Sequence, residues 1–543
     1  MPQFDYIIVG AGSAGSALAS RLSDDTNTTV LLLEAGGSDR SLWIQVPIGY
    51  GKIFHDARVN WKYTTEPDPN LNGARVYWPR GKVLGGSSSI NAMVYVRGHR
   101  RDFDDWGAVA PGWAWNDVAP VFKRIEAWDG DESDLRGRSG PLAVHDVAPE
   151  VHPLTRTFLQ AANQCNIATN PDYNGASMDG AACYQITTRG GVRASAAQAY
   201  LKPARRRANL TVCTGAMATR VLIDRMRATG VEYRHKGQLQ TVQARRNVIL
   251  CGGAINSPQL LQLSGIGPGA VLQRQGIKVL SDAPQVGRNL RDHLGADTLL
   301  RARVPSLNQQ LRPWWGKFWA GLQYVLARKG PLSLSLNQGG GFVRLTPQAD
   351  RPDLQLYFSP VSYTRAPVGT RPLMNPDPFP GFLLGFNPCR PTSTGHLEIR
   401  SPDPYTPPLL QGNYLSTQYD IDLMRAGMRL MRRIAAAPAL AAVIDSEISP
   451  GCEVQTDAQI DAYLRDKSWS VFHQCGTCRM GADAATSVVD ARLRVHGIDG
   501  LRVADASIFP TIPTGNTNAP AIMVGEKAAD IIRQDARQGK GSS

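Results

Sequence analysis

The sequence predicts an α/β protein in two parts: a parallel sheet wrapped by helices, and an α+β part built on an antiparallel sheet. Three observations carry this. The first thirty-five residues read as strand, Gly-rich turn, helix and strand. Residues 245–265 (RRNVILCGGAINSPQLLQLSG) repeat the pattern of strand, glycine pair and helix. From about 300 to 415, short alternating runs such as LQLYF and HLEIR stand between prolines, as in PDPFPGF (376–382) and SPDPYTPPLL (401–410).

The elements follow in order. Asp5–Val9 and TVLLLEAG (29–36) are near-continuous apolar runs, the mark of parallel strands buried on both faces. Between them lies GAGSAG, then a helical stretch through Ser20–Leu22. In the second unit a helix is expected to open at Ser257–Pro258, because proline suits a first helical turn whose N–H would be unpaired anyway. The alternating runs of the middle read as antiparallel strands joined by irregular loops. Residues 417–434 place Ile421, Met424, Met428, Met431 and Ile434 at helical spacing, a core stripe beneath a solvated arginine face. The segment 435–443 (AAAPALAAV) is a helix end punctuated by proline.

Bulk properties narrow the class. At 543 residues the chain is long enough for two to four domains. Eight scattered cysteines form no framework, which favours free thiols in a reducing compartment. The N-terminus has no signal-peptide pattern and no window is apolar enough to span a bilayer, so a cytoplasmic location is expected. The net charge of +13 raises nucleic-acid binding, but the basic residues are dispersed, with Arg205–Arg206–Arg207 the densest run and no recognition motif beside them. No nucleic-acid partner is expected; attraction to anionic surfaces or substrates is the milder consequence.

Gly10, Gly12 and Gly15 form G-x-G-x-x-G after a strand and at a helix start. The first glycine permits the turn, the second admits a pyrophosphate and the third lets helix and strand pack closely. Ser13 and Ala14 begin the helix, whose bare N–H groups suit phosphate. Glu34, followed by Ala35, ends the second strand nineteen residues after Gly15, where a carboxylate can accept hydrogen bonds from a ribose diol. The Rossmann-like pattern fits NAD or FAD.

PRGKVLGGSSSINAMVYVRG (79–98) and GAINSPQLLQLSGIG (253–267) resemble the two signature segments of the glucose–methanol–choline (GMC) oxidoreductase family, and the resemblance covers nearly the whole chain. It extends to NW (60–61), VGRNLRDH (286–293), HQCGTCRMG (473–481), LRVADASIFP (501–510) and NTNAPAIMVGEKAADII (516–532). LNGARVYWPRGK (71–82) and NAMVYVRGH (91–99) are most similar to bacterial FAD-linked alcohol and choline dehydrogenases. The resemblance implies a Rossmann-like FAD-binding domain over residues 1–297, with some segments contributing to the cap. It implies a substrate-binding cap over 298–465, and a return to the FAD domain over 466–543. FAD pyrophosphate and flavin edge are expected at Gly85, Gly86 and Ser87, with Asn91, Ala92, Met93 and Val94 along the isoalloxazine. Ala218 is expected at adenine, and Asp505, Ala506, Asn516 and Thr517 at the ribityl chain and flavin pyrimidine. Some members bind FAD covalently through a histidine where this chain has Ile90, so dissociable FAD is expected here.

The resemblance also implies a catalytic pair. His473, just before GTCRMG, would take the alcohol proton, and Asn518 would hydrogen-bond the substrate oxygen as hydride leaves for flavin N5. Histidine suits the proton because its ordinary pKa lies near neutrality. The other histidines, His55, His99, His145, His152, His235, His293, His396 and His496, read as surface or structural, His293 included although it falls in a matching segment. Cys475 and Cys478 form C-x-x-C, but no second ligand pair accompanies them, so no metal site is expected.

The expected reaction is oxidation of a primary alcohol, apolar or aromatic, to the aldehyde, with electrons passed to a quinone or another acceptor. An oxidase producing hydrogen peroxide from O2, a choline dehydrogenase, and a flavin lyase or decarboxylase are the alternatives. RPWWGKFWAGLQYVLARKG (312–330) carries aromatic residues at helical spacing among Lys317, Arg328 and Lys329. A cap helix buried against its own domain is the favoured reading. A membrane-interface helix, placing the protein on the inner face of the membrane, is the alternative.

Overall fold

The computed structural model describes residues 2–346, 348–363 and 375–540. Residues 364–374, inside the stretch expected to be antiparallel, lie outside the described residues.

The sheet near the N-terminus orders its strands as Leu210–Thr214, Val30–Glu34, Gln3–Val9, Gln238–Leu250, Arg227–His235 and Ala216–Asp224, with Leu501–Val503 also on Gln238–Leu250. The pairs on the Gln3–Val9 side are parallel, as their unbroken apolar runs require. The far side is an antiparallel meander of Ala216–Asp224, Arg227–His235 and the first part of Gln238–Leu250. Helices Ser13–Leu22 and Asn518–Lys540 pack together over this sheet. Gly525 makes the contact close, since a Cβ there would lie 2.3 Å from the Ala14 carbonyl oxygen.

The second sheet is antiparallel throughout, in the order Ile444–Ser449, Leu294–Ala302, Gly381–Pro388, Leu354–Ser359, Gly339–Val343 and Gly180–Cys183, with Trp469–Ser470 also pairing with Leu294–Ala302. Helix Gln418–Ala436 lies on its back and buries Met424, Met428, Met431 and Ile434, while Ile421 is half-buried. The Thr417 hydroxyl caps that helix by accepting from the Asp420 N–H. Strand Leu294–Ala302 runs through the boundary set at 297/298, and Gly180–Cys183 joins this sheet from the first stretch.

Two expectations are corrected. The helix expected to open at Ser257–Pro258 begins at Gly253, with Pro258 in its first turns. Proline there deprives the Ala254 carbonyl of its helical donor. The Thr477 hydroxyl replaces it, donating to Ala254 O at 2.7 Å. The helix Trp314–Ala327 does not bury its aromatic face. Gly316, Ala320 and Tyr324 face inward, because a Cβ at Gly316 would lie 2.3 Å from the Gln310 carbonyl oxygen and only a narrow stripe seats there. The large apolar side chains point outward.

Candidate active site

One cavity of about 690 Å³ lies between the two sheets. Of the residues expected at the cofactor, Gly10, Gly12, Ser13, Ala14, Glu34, Ala35, Gly86, Ser87, Asn91 through Val94, Ala218, Asp505, Ala506, Asn516 and Thr517 line it. Gly15 and Gly85 stand behind the wall. Gly15 permits helix and turn to pack, since a Cβ would meet the Gly10 carbonyl oxygen at 1.9 Å. Gly85 takes a left-handed φ of 87° that its loop requires.

The residues fit FAD. Gly12 and Gly86 approach so closely that a Cβ on Gly86 would lie 2.7 Å from the Gly12 Cα, and both line the cavity with bare backbone. The helix Ser13–Leu22 starts there with no side-chain cap and no acid in its first turn, so its N–H groups stay available to an anion. The Glu34 carboxylate accepts from Ala11 N at 2.9 Å and Gly36 N at 2.8 Å. Burial pushes its pKa up to about 7. Its remaining lone pairs suit the ribose hydroxyls. Asp505 is tied by the Ser257 hydroxyl at 2.6 Å and by Gly253 N at 2.8 Å.

A buried arginine supports the cavity wall at Asn91. Arg193 donates to Asn91 Oδ1 at 2.7 Å and to the Ile44 and Ser88 carbonyls. Burial pulls its guanidinium down to about 9. Asn91 Oδ1 also receives Met93 N, fixing a left-handed Met93 (φ 65°) against the cavity.

His473 sits at the cavity wall, 6% exposed. Its backbone is aimed by Asp292, whose Oδ1 accepts His473 N at 2.8 Å. Asp292 Oδ2 gathers Tyr414, Ser470 and Gln474. Phe472, one residue earlier, is left-handed (φ 68°); Ser470 Oγ holds its N–H and Arg80 holds its carbonyl. The positively charged Arg80 is buried, which lowers its pKa to about 10.

The ring is oriented through a second histidine. His293 Nε2 lies 2.8 Å from the Cys389 carbonyl oxygen, and its Nδ1 lies 2.8 Å from His473 Nδ1. Burial lowers the His293 pKa to about 4 and holds His473 well below its ordinary value, so both rings are neutral near pH 7. A carbonyl can only accept, so the His293 proton is on Nε2 and its Nδ1 is an acceptor. His473 must then donate from Nδ1, which leaves a lone pair on Nε2. The Asn516 amide faces that lone pair, with Nδ2 at 3.0 Å. Gln355 Nε2 donates to Asn516 Oδ1 at 3.0 Å and so fixes which end of the amide turns to the ring.

Asn516, expected at the flavin, is therefore the residue against His473, and Asn518 is not. Asn518 also lines the cavity, but its Oδ1 accepts from the Ser13 hydroxyl at 2.7 Å and pins the helix starting there to the first glycine-motif helix. Asn516 thus stands against the histidine where Asn518 was expected, two residues before the helix start that Asn518 occupies. His293, read as structural, touches His473 directly. The acid–histidine pair closing VGRNLRDH was its available signal. Nothing in the sequence pointed to Cys389, Gln355 or Arg193. Cys475 and Cys478 are buried free thiols, and their backbone N–H groups anchor the stretch to Arg291 and Ser507.

The cavity wall opposite is the cap sheet. It presents Asp297, Tyr357, Ser359, Leu383 and Gly385, with Phe54, Trp61, Tyr77, Trp469 and Phe472 around them. Among the described residues, the buried hydroxyls of Tyr357 and Ser359 have no hydrogen-bond partner.

Family models described as GMC oxidoreductase match residues 4–295 and 391–525. An oxygen-dependent choline dehydrogenase of Rhizobium etli is 44% identical over 537 residues, covering 98% of this chain and 95% of that protein. An uncharacterised GMC-type oxidoreductase of Mycobacterium tuberculosis is 45% identical, covering 98% of this chain and 99% of its own. Among solved structures, pyridoxine 4-oxidase from Mesorbium loti superposes with a TM-score of 0.88 at 32% identity, covering 98% of this chain and 99% of that one. A formate oxidase variant from Aspergillus oryzae RIB40 gives 0.91 at 27%, covering 99% of each. The glycine cradle, the acid on the second strand and these matches lead to one conclusion: the chain belongs to the GMC oxidoreductase family and is an FAD-dependent oxidoreductase.

Proposed function

We propose that the protein oxidises a primary alcohol to the aldehyde, with His473 Nε2 receiving the hydroxyl proton and Asn516 steadying the substrate oxygen. The carrying observation is the chain of Cys389 O, His293 and His473, which leaves Nε2 unprotonated toward the cavity. FAD bound along the glycine wall supplies the two-electron acceptor for the hydride. His473 is held neutral by burial, so it is ready as a base at neutral pH. Asn516 Nδ2 lies 3.0 Å from Nε2; the alcohol hydroxyl takes over that lone pair, and the amide N–H it displaces turns to the developing alkoxide. Ile90 lines the cavity where a covalent link would need a nucleophile, which supports dissociable FAD. Acid precipitation should leave the protein colourless and the flavin in solution.

The aromatic wall supports an alcohol with an apolar or aromatic body. A second reading, choline or another amino alcohol, is favoured by the Asp297 carboxylate on a cavity wall shared with aromatic rings, which suits a cation, and by similarity to oxygen-dependent choline dehydrogenases. A panel of benzylic, aliphatic and amino alcohols, each with dye or O2 as acceptor, tests both readings. Loss of choline turnover in Asp297→Asn, with benzylic turnover intact, would select the amino alcohol. Peroxide formed in air separates oxidase from dehydrogenase. His473→Ala should lower kcat by about 100-fold or more and Asn516→Ala by about 10- to 100-fold, both keeping FAD. Near-normal kcat in His473→Ala would end the assignment.

A further inference from the structure

The helix Trp314–Ala327 is amphipathic in an inverted sense: it buries only Gly316, Ala320 and Tyr324 and exposes most of its large apolar side chains. Trp314 is 80% exposed, Trp319 62% and Leu326 76%, with Trp315, Phe318 and Val325 also more than half exposed. So many large apolar side chains on one element mark an interaction surface rather than the ordinary scatter of exposed residues.

Charge identifies what it meets. No Asp or Glu occurs between Asp297 and Asp350, a stretch that carries seven Lys and Arg residues. Arg301 and Arg303 lie near Asp445, and Arg344 pairs with Asp179. Arg312 donates to the Pro376 carbonyl. Lys317, Arg328 and Lys329 are exposed and, among the described residues, engage no acid. Arg328 lies over the Tyr324 ring. Tryptophan, phenylalanine and leucine beside cations without an acid partner among the described residues, in a stretch that carries no acid, match the headgroup layer of an anionic bilayer. At fourteen residues the helix is about 21 Å long, too short to cross a membrane and suited to lying in the interface.

The underside of the helix ties this surface to the active site. Ala320 and Tyr324 share an apolar cluster with Tyr50 and Leu336, and both of those line the cavity. Tyr324 also donates to the Gly191 carbonyl at 2.9 Å, which fixes the helix to the turn before Val192.

We propose that this helix docks the protein peripherally on an anionic phospholipid surface, bringing the mouth of the active-site cavity against the bilayer. Lipid-dissolved alcohols or acceptors would then exchange with the cavity from the membrane side.

Sedimentation of the full-chain holoenzyme with phosphatidylcholine vesicles, with and without phosphatidylglycerol, tests this. Binding should require phosphatidylglycerol and weaken with added salt. Brominated lipid should quench tryptophan fluorescence in the native protein and lose that quenching in Trp314→Ser/Trp315→Ser/Trp319→Ser. Lys317→Gln/Lys329→Gln should lower partitioning about 25-fold, since each cation near an anionic surface is worth about fivefold. Both variants should keep full turnover of a water-soluble alcohol, which shows that they are folded. The proposal is overturned by absent binding to phosphatidylglycerol vesicles at low salt, or by binding that the tryptophan variant retains. It is equally overturned if light scattering shows a stable dimer that the tryptophan variant converts to monomer. Because the readout is binding, failure here leaves the alcohol oxidation untouched, and failure of that reaction leaves the docking intact.

Discussion

The two sheets face one cavity with different chemistry. The parallel sheet offers backbone: Gly12 and Gly86 stand nearly in contact, and Gly12 opens a helix with no side-chain cap. The antiparallel sheet offers side chains: Asp297, Tyr357 and Ser359 on the wall, with Gln355 braced behind Asn516. A backbone cradle tolerates almost no substitution at its glycines, because any Cβ enters the space that the cofactor or the opposing loop needs. A side-chain wall tolerates exchange, because a different residue makes a different pocket. On the proposed function, the cofactor belongs to the first sheet and the choice of alcohol to the second. A family can keep one reaction while changing its substrates by editing the second alone.

The sharpest way to break the comparison is to load the cradle. Gly86→Val puts side-chain atoms where a Cβ alone already lies 2.7 Å from Gly12 Cα, at a left-handed φ of 53°. The purified variant should be colourless, with FAD occupancy down at least about tenfold. A yellow variant with normal occupancy would mean that the closeness of these loops does not hold the cofactor.

The next test concerns the side-chain half. His293→Ala should keep FAD and its spectrum but lower kcat by about 10- to 100-fold, as loss of an orienting partner does. His293→Asn keeps an acceptor for His473 Nδ1–H and should recover part of that loss. Its profile of kcat against pH should stay closer to the native one than that of the alanine variant. Equal loss in both variants, with unchanged pH profiles, would make His293 a packing residue.

The same pair predicts a pH effect on stability. Unfolded histidine titrates near 6.5, whereas burial holds His293 down at about 4. Between those values the unfolded chain binds a proton that the native protein does not, so stability falls as pH falls through that window. From pH 7 to 5 the loss is about 2 kcal/mol for this histidine, read from urea midpoints. His293→Asn should flatten the slope by that amount, and an unchanged slope would show that other groups set it.

These tests also measure what the sequence could disclose. The cradle was legible because its parts are local: Gly10, Gly12, Gly15 and Glu34 fall within twenty-five residues, and each is constrained by backbone geometry. His473 was legible through the segment around it. Its setting was not, because His293, Cys389, Gln355 and Asn516 come from four separate stretches brought together only by the fold. The aromatic helix showed its periodicity, but periodicity identifies a stripe and not which side is buried. Gly316 and Ala320 decided that, by letting only the small side approach.

The smallest effect separates the two asparagines. Asn518 gives its carbonyl oxygen to the Ser13 hydroxyl, a partly buried bond joining two helices that pack beside the cradle. Replacing it by alanine removes one neutral hydrogen bond, worth about 1 kcal/mol, and in a chain of 543 residues should lower the melting temperature by only about 1 °C. Turnover should stay within about threefold of native, since no base or substrate oxygen loses its partner. If Asn518→Ala instead fell as far as Asn516→Ala, the amide against His473 would not be the one that acts on substrate. The carboxamide bound to Ser13 would then have to turn toward the cavity when FAD and alcohol enter.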